Sequence, residues 1–202
     1  MPQADNAMQT DCSSYRENGY LVLQHQELPF SRAEWNSLTA LALDDSRRFE
    51  IVTSGDTTEP TDVLVHRILR DGDPPQADDP ELAKAVLGIV GSPERLAFYE
   101  RVLGEEDLMI RRAQAHILGT AGFIGRHRDS ESSPHYLAAV VLQLRPAGSG
   151  GAFAVYGVDD QPKVIDRFAM LMTDAELPHE VLPVQSGQRS SLAFWLAKRP
   201  AP

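Results

Sequence analysis

The stretch FIGRHRDSESS, residues 123–133, places two residues that can bind a metal, His127 and Asp129, on either side of an arginine. Residues at positions i and i+2 of an extended chain project to the same side, so the imidazole and the carboxylate could reach one ion. By itself, a histidine and an aspartate at this spacing are more often part of a solvated, charged turn between two strands. The pair therefore needs partners elsewhere in the chain.

A second histidine, His179, lies in AELPHEVLPV at the predicted start of a strand. It could complete the set, because two imidazoles and one carboxylate on one face of an ion leave three positions open. This arrangement suits Fe(II) in oxygenases. Taken alone, His179 could equally be a histidine at a strand edge that bonds a backbone carbonyl.

Arg189 and Ser191 stand in SGQRSSLAFWL, ten and twelve residues beyond His179. They share one face of a predicted strand, where a guanidinium and a hydroxyl can hold a carboxylate through a bidentate pair and one further hydrogen bond. Arg189 alone would be interpreted as a surface charge. The ordered set of His-x-Asp, a later histidine and then Arg-x-Ser indicates one site.

The elements that must position these residues lie mostly in the second half of the chain. After Gly104, strand-like segments separated by Gly, Pro, Asp and Ser clusters favour an antiparallel sheet pair or barrel. The segments are LMIRRAQAHIL, HYLAAVVLQL, GGAFAVYG, FAMLMT, HEVLPV and SSLAFWLA.

The first half is richer in predicted helices. GYLVLQ is typical of a strand, and FSRAEWNSLTALALDD of a helix in which Ser31 and Glu34 form a capping box. Proline near the start and glycine near the exit predict two consecutive helices in DPELAKAVLGIVG and SPERLAFYERVLG. The turn-rich segments 53–62 and 71–80 flank a strand-like VLVHRIL, and either could be a flexible flap.

These patterns predict an α+β, mainly β fold, a jelly-roll-like barrel supported by N-terminal helices. We expect a flexible tail over residues 1–12 and a single domain over residues 13–202. Within that domain, residues 13–104 form the helix-rich support and residues 105–198 form the β core.

Composition narrows the class of protein. The 202 residues are 42% hydrophobic and 24% charged, as in one ordinary globular domain, and the net charge of −10 opposes a nucleic-acid partner. The lone Cys12 cannot form an internal disulfide. The N-terminal stretch lacks the features of a secretory signal, and no apolar run predicts a membrane span, so we expect no membrane partner and a cytoplasmic location.

The stretches GFIGRHRD, GGAFAVY and LPHEVLPVQSGQRSSLAFWL resemble the Fe(II)- and 2-oxoglutarate-dependent oxygenases of the double-stranded β-helix (cupin-like) fold, with a prolyl-hydroxylase-like pattern. The resemblance covers residues 108–197. It implies that His127, Asp129 and His179 bind Fe(II), and that Arg189, helped by Ser191, binds the distal carboxylate of 2-oxoglutarate. The family reaction uses O2, converts 2-oxoglutarate to succinate and CO2, and oxidises a substrate C–H bond.

Together, ERLAFYERVLG and the stretch from RRAQAHIL to HYLAAVVLQL also look like compact bacterial enzymes that hydroxylate or chlorinate free amino acids such as lysine. The halogenating members have a small residue in place of the metal carboxylate, which frees a coordination position for chloride. Here Asp129 fills that position. The resemblance therefore implies hydroxylation, or another oxidation such as desaturation, rather than halogenation.

Candidate substrate residues follow from alternation and from proximity to the site. In RRAQAHIL, the polar residues share one face and the alternating apolar residues share the other, but alternation does not determine which face meets water. The polar row either lines the barrel beside the iron or faces solvent. The candidates are Arg112, Gln114 and His116 from this row, together with Glu131, His135 and Trp195. Glu131 could instead be a solvated loop residue, and Trp195 a core residue.

The first hypothesis is a 2-oxoglutarate-dependent iron dioxygenase that hydroxylates an unactivated C–H of a small amino-acid-like molecule, in bacterial specialised metabolism. One alternative is the same chemistry on a peptidyl side chain. Another is a β-helix binding protein without catalytic activity. The small size of the chain favours the small-molecule substrate, and a closed pocket or an open groove at the site would distinguish the first two.

Overall fold

Strands are the main secondary structure of the computed structural model, which describes residues 12–44 and 46–200. Helices α1 to α5 span Ser13–Asn18, Arg32–Ala42, Pro80–Val90, Pro93–Leu103 and Asp129–Ser132, and a short 3-10 helix spans His25–Glu27. Strands β1 to β7 span Tyr20–Leu23, Glu50–Ser54, Pro60–Leu69, Leu108–Leu118, Phe123–His127, Tyr136–Arg145 and Ser149–Gly150. Strands β8 to β13 span Phe153–Tyr156, Pro162–Ile165, Met170–Asp174, His179–Val181, Val184–Ser186 and Arg189–Lys198.

One curled antiparallel sheet joins eleven of the described strands. Its order is β1-β10-β6-β13-β4-β3-β5-β11-β8-β9, with β2 paired to β3, while β12 and β7 form a separate small pair. Strand β3 links the two faces of the barrel, because Leu64 pairs with β4 whereas Thr61 and Asp62 pair with β5. The predicted mainly β, double-stranded β-helix fold supported by helices is confirmed.

The alternation of side chains along β13 separates the outside of the barrel from its inside. Leu192 and Phe194 are buried in the cluster that packs against the helices. The intervening residues Ser191, Ala193 and Trp195 line the cavity inside the barrel. Strand β13 therefore joins the helical support to the site.

The helices cover the outer face of the larger sheet. Helix α2 begins with the predicted capping box, in which the Ser31 hydroxyl accepts from the Glu34 backbone N–H and the Glu34 carboxylate accepts from the Ser31 backbone N–H. Helices α3 and α4 begin with the predicted prolines. The fully buried Tyr99 of α4 packs on Phe194 of β13, with ring centroids 5.8 Å apart.

Several elements differ from the sequence-based expectation. The turn-rich segment 53–62 contributes to both strands of the β2–β3 hairpin, so that only residues 55–59 form its turn. Helix α1 was not predicted, because it is six residues long, has no side-chain cap and buries only Tyr15. HEVLPV forms two strands rather than one, because Pro183 separates β11 from β12 and lacks the N–H that a continuous ladder needs.

Only the last residue of the predicted N-terminal tail lies within the described part of the chain. Residues 1–11 of the predicted tail lie outside the described residues, and Cys12, at the start of α1, is buried. Among the helices described, none combines the length and apolar character required to cross a membrane.

Phe194→Ala should lower the free energy of unfolding by about 3–5 kcal/mol, because the ring is fully buried between β13 and α4. Equilibrium urea denaturation would measure the change. Ile51→Ala is the control, since Ile51 is 73% exposed on β2 and its truncation should change stability by less than about 0.5 kcal/mol. Similar losses in both variants would contradict the assignment of Phe194 to the core.

Candidate metal centre and active site

Two neighbouring strands and a short helix bring His127, Asp129 and His179 together. His127 ends β5 and lies opposite His179, which begins β11, in the antiparallel register. Asp129 begins α5, two residues beyond His127. Each histidine Nε2 lies 3.7 Å from one oxygen of the Asp129 carboxylate, and the three possible ligand atoms all lie within 4.8 Å of one another.

Backbone carbonyls orient both imidazoles in the same way. His127 Nδ1 lies 2.8 Å from the Gly125 carbonyl oxygen, and His179 Nδ1 lies 2.9 Å from that of Leu177. A neutral imidazole that donates from Nδ1 to a carbonyl keeps the Nε2 lone pair free for a metal. In both residues, the free Nε2 faces Asp129.

The centre is buried, and its charge is not balanced by the protein. Asp129 is 3% exposed, and its Oδ2 has no hydrogen-bond partner among the described residues. Burial lowers the pKa of His179 despite the opposing effect of the nearby Asp129 carboxylate. A buried carboxylate with an unpartnered oxygen favours a cation, and two imidazole nitrogens with one carboxylate oxygen are a donor set that fits Fe(II).

Arg189 provides a buried positive charge in the same cavity. It is 1% exposed, its Nη1 donates to the Ser191 hydroxyl at 3.3 Å, and its Nε and Nη2 have no partner in the described part of the chain. Burial lowers the pKa of Arg189 to about 10, so the guanidinium is still positively charged at neutral pH. A carboxylate group would satisfy these donors, which fits the distal end of 2-oxoglutarate.

The polar row of β4 faces the cavity rather than solvent. Arg112, Gln114 and His116 line the cavity, whereas Ala113 and Ala115 belong to the core cluster under the helices. Burial, with the charges of Arg189 and Arg112 as smaller causes, lowers the pKa of His116 to about 3. His116 is therefore neutral at physiological pH and adds no charge to the site.

Arg112 is held in place on several sides. Its guanidinium lies 4.9 Å from the centre of the Trp195 ring, its Nε donates to Gln114 Oε1 at 3.2 Å, and it forms an ion pair with Asp56. It also hydrogen-bonds the Tyr136 hydroxyl, whose ring stacks on Trp195. Trp195 is 7% exposed and both packs in the core and lines the cavity.

Two sequence candidates lie away from the cavity. Glu131 and His135 are exposed and are not among the residues that line it. Glu131 instead pairs with Arg128 at 3.5 Å. Both were chosen for their proximity in sequence to Asp129, but beyond that residue α5 presents Ser132 to the cavity instead.

Sequence reasoning missed the contribution of the β2–β3 hairpin. Asp56 and Glu59 from its turn, and Thr61 and Arg67 from β3, line the cavity. The cleft has an empty volume of about 850 Å³, part of it open to solvent, and apolar side chains such as Val65 and Phe153 contribute to its walls. Alternation along β3 could have placed Thr61 and Arg67 on one face. No pattern in the turn indicates that it lies against this site.

Comparisons with known proteins agree with this geometry. Residues 113–197 match the family model described as the 2OG-Fe(II) oxygenase superfamily. A search of curated proteins found no match. The chain is similar to the crystal structure of an oxidoreductase of the 2OG-Fe(II) oxygenase family from Burkholderia pseudomallei, with 29% identity over 100% of this chain and 93% of that chain, and a TM-score of 0.80.

Two further solved structures share the fold. A Pseudomonas putida prolyl-4-hydroxylase is 20% identical over 96% of this chain and 100% of that chain, with a TM-score of 0.65. The α-ketoglutarate-dependent epimerase SnoN from nogalamycin biosynthesis is 12% identical over 93% of this chain and 79% of that chain, with a TM-score of 0.68. The family match thus covers much of the β core, and the similarity in structure extends over the whole chain; members of the matched superfamily use Fe(II), 2-oxoglutarate and O2.

Proposed function

We propose that this chain is a 2-oxoglutarate-dependent non-haem iron dioxygenase that hydroxylates an unactivated C–H bond of a small amino-acid-like molecule. One observation carries the proposal: a buried carboxylate, Asp129, and a buried guanidinium, Arg189, line one cavity, and each has polar atoms without a hydrogen-bond partner among the described residues. Iron and 2-oxoglutarate together would satisfy both groups.

His127, Asp129 and His179 would hold the iron. The Gly125 and Leu177 carbonyls fix the two imidazoles with Nε2 towards the centre, so these ligands need little reorganisation when metal binds. With bound iron, the family chemistry divides O2 between succinate and the oxidised substrate and releases CO2 from 2-oxoglutarate.

Arg189 and Ser191 would bind the distal carboxylate of 2-oxoglutarate. The guanidinium supplies two unpartnered nitrogens, and the hydroxyl lies beside the third. The apolar surroundings strengthen this ion pair by excluding water. Because His116 is neutral, it can lie near Arg189 without repelling it.

Asp129 supports oxygen transfer rather than halogenation. Its carboxylate stands where a halogenating relative would leave a coordination position for chloride. The fold does not determine the outcome by itself, because structures with this fold include a prolyl hydroxylase and an epimerase. The identity of residue 129 is therefore the feature that favours hydroxylation.

The shape of the cavity supports a small substrate over a peptidyl side chain. The turn of the β2–β3 hairpin contributes Gly55, Asp56 and Glu59 to the lining, and Asp56 pairs with Arg112 across the cavity. A long peptide would need an open groove, whereas this ion pair connects two walls. Arg112 would bind the substrate carboxylate, with Gln114 and Trp195 beside it.

Purified protein with Fe(II), ascorbate and 2-oxoglutarate should form succinate even without substrate, as uncoupled turnover. His127→Ala should abolish this activity, because it removes an iron ligand. Arg189→Lys should raise the KM for 2-oxoglutarate by about 10- to 100-fold, because lysine keeps the charge but cannot form the bidentate pair. Succinate formation measured by mass spectrometry checks both variants.

The controls for this experiment are His25→Ala and Arg145→Lys, which change exposed residues outside the cavity. Both should behave like the unmodified protein. Iron bound with normal affinity but without succinate formation would contradict the proposal and favour a binding protein without catalytic activity.

A screen of free amino acids and their derivatives should yield a product that has gained one oxygen atom. The reaction is run with excess chloride, and no chlorinated product is expected, because Asp129 occupies the position that chloride would need. Mass spectrometry distinguishes the two outcomes by mass and by the chlorine isotope pattern. A chlorinated product from the unmodified protein would contradict the assigned role of Asp129.

A further inference from the structure

Glu59 is an acidic residue of the cavity that the iron and 2-oxoglutarate sites do not use. It closes the turn of the β2–β3 hairpin, where its backbone carbonyl accepts from the Gly55 N–H at 2.9 Å. Its side chain is 8% exposed and lines the cavity. A carboxylate buried to this extent normally has a cationic partner.

The turn holds this carboxylate in a defined position. One oxygen, Oε2, accepts from the backbone N–H of Thr57 at 3.0 Å and from the Thr57 hydroxyl at 2.8 Å. The other oxygen, Oε1, lies over Gly55, where a Cβ atom would overlap it. A glycine at position 55 is therefore required for this arrangement, and Oε1 is left without a hydrogen-bond donor in the turn.

Two of the three arginines that line the cavity are already matched by other acids, and the third, Arg189, is the proposed ligand of 2-oxoglutarate. Arg112 pairs with Asp56, and Arg67 pairs with Glu50. Within the described residues, no lysine or arginine nitrogen lies within 4.0 Å of the Glu59 carboxylate. The negative charge of Glu59 is thus not paired by the protein.

The cofactors do not supply the missing charge. The two positive charges of Fe(II) equal the two negative charges of 2-oxoglutarate, and Asp129 and Arg189 carry opposite single charges. With both cofactors in place, Glu59 remains as an excess negative charge in the lining. A cationic group on the substrate could pair with it.

An alternative role for Glu59 is to orient His127. Glu59 Oε1 lies 4.0 Å from His127 Nδ1, which is too long for a hydrogen bond. That nitrogen already donates to the Gly125 carbonyl at 2.8 Å. The geometry therefore does not support a carboxylate–histidine pair at this position.

We infer that Glu59 binds a cationic amino group of the substrate, so that the enzyme acts on amines in their ammonium form. The inference rests on the proposed function and deepens it, because Glu59 would recognise the ammonium group while Arg112 recognises the carboxylate of the same molecule. Asp56, when a substrate carboxylate displaces it from Arg112, supplies a second acid at the same turn.

The test compares amines with isosteres that lack the charge. Free L-amino acids, including lysine and ornithine, and 1,4-diaminobutane are screened for stimulation of succinate formation by the iron-loaded enzyme. For each active amine, analogues are made in which each amino group in turn is replaced by hydroxyl. At least one such replacement should lower kcat/KM by about 10- to 100-fold, since an ion pair with a largely buried carboxylate is lost.

Glu59→Gln identifies the residue responsible for this selectivity. The amide oxygen can still accept from Thr57, so the turn should fold, but the negative charge is removed. The variant should raise the KM for the amine by about 10- to 100-fold and should change kcat/KM for the hydroxyl analogue by less than about threefold. Asp62→Asn is the matched control, since Asp62 is an exposed carboxylate on β3, three residues beyond Glu59, and does not line the cavity.

Three results would overturn the inference. The first is that no amine in the panel stimulates turnover, and the second is that the hydroxyl analogues react as well as the amines. The third is that Glu59→Gln binds Fe(II) more weakly in an anaerobic titration, while the ratio of kcat/KM for the amine to kcat/KM for the hydroxyl analogue is unchanged. That result would assign Glu59 to the orientation of His127. Absence of uncoupled succinate formation in the unmodified enzyme would instead refute the proposed function itself.

Discussion

The antiparallel pairing of β5 with β11 is the contact on which the site depends. His127 and His179 lie directly opposite each other in this register, so their side chains project to the same face of the sheet. A slip of one residue would turn one imidazole to the other face. The pairing of His179 with Val155 of β8, on the other side of β11, fixes the register from both sides.

The barrel then places Asp129 and Arg189 in one cavity, where neither forms an ion pair with a residue of fixed opposite charge in the described part of the chain. Burial of Asp129 and Arg189 in this way destabilises the folded chain, and the core between the barrel and its helices must offset the cost. Iron and 2-oxoglutarate, which bind only the folded form, stabilise it by mass action. The buried charges that suit the site for iron and 2-oxoglutarate therefore also make the stability of the folded chain depend on these cofactors.

The sequence predicted the elements whose signals are local. The capping box at Ser31, the prolines of α3 and α4, and the alternation of β4 all appear in the structure where the pattern indicated. Alternation could not determine which face of β4 meets solvent, because that depends on the buried cluster, shared with the helices, to which Ala113 and Ala115 belong. The spacing of His127, Asp129 and His179 indicated a site only when Arg189 and Ser191 were considered with them.

The part of the site that sequence reasoning missed lies on the turn of the β2–β3 hairpin. The strands and this turn contribute different kinds of residue to the site. Side chains on β5, β11 and β13 are held by ladders on both sides, which suits groups that must keep a fixed geometry towards iron and 2-oxoglutarate. Asp56 and Glu59 lie on a turn whose own hydrogen bonds, from Thr57 and Gly55, set their positions. Because a turn can change in sequence without disturbing the ladders, it is the place where substrate preference can vary while the chemistry is retained. The charge of the cavity at Glu59 is therefore informative about the substrate, whereas His127, His179 and Arg189 on the strands are informative about the reaction.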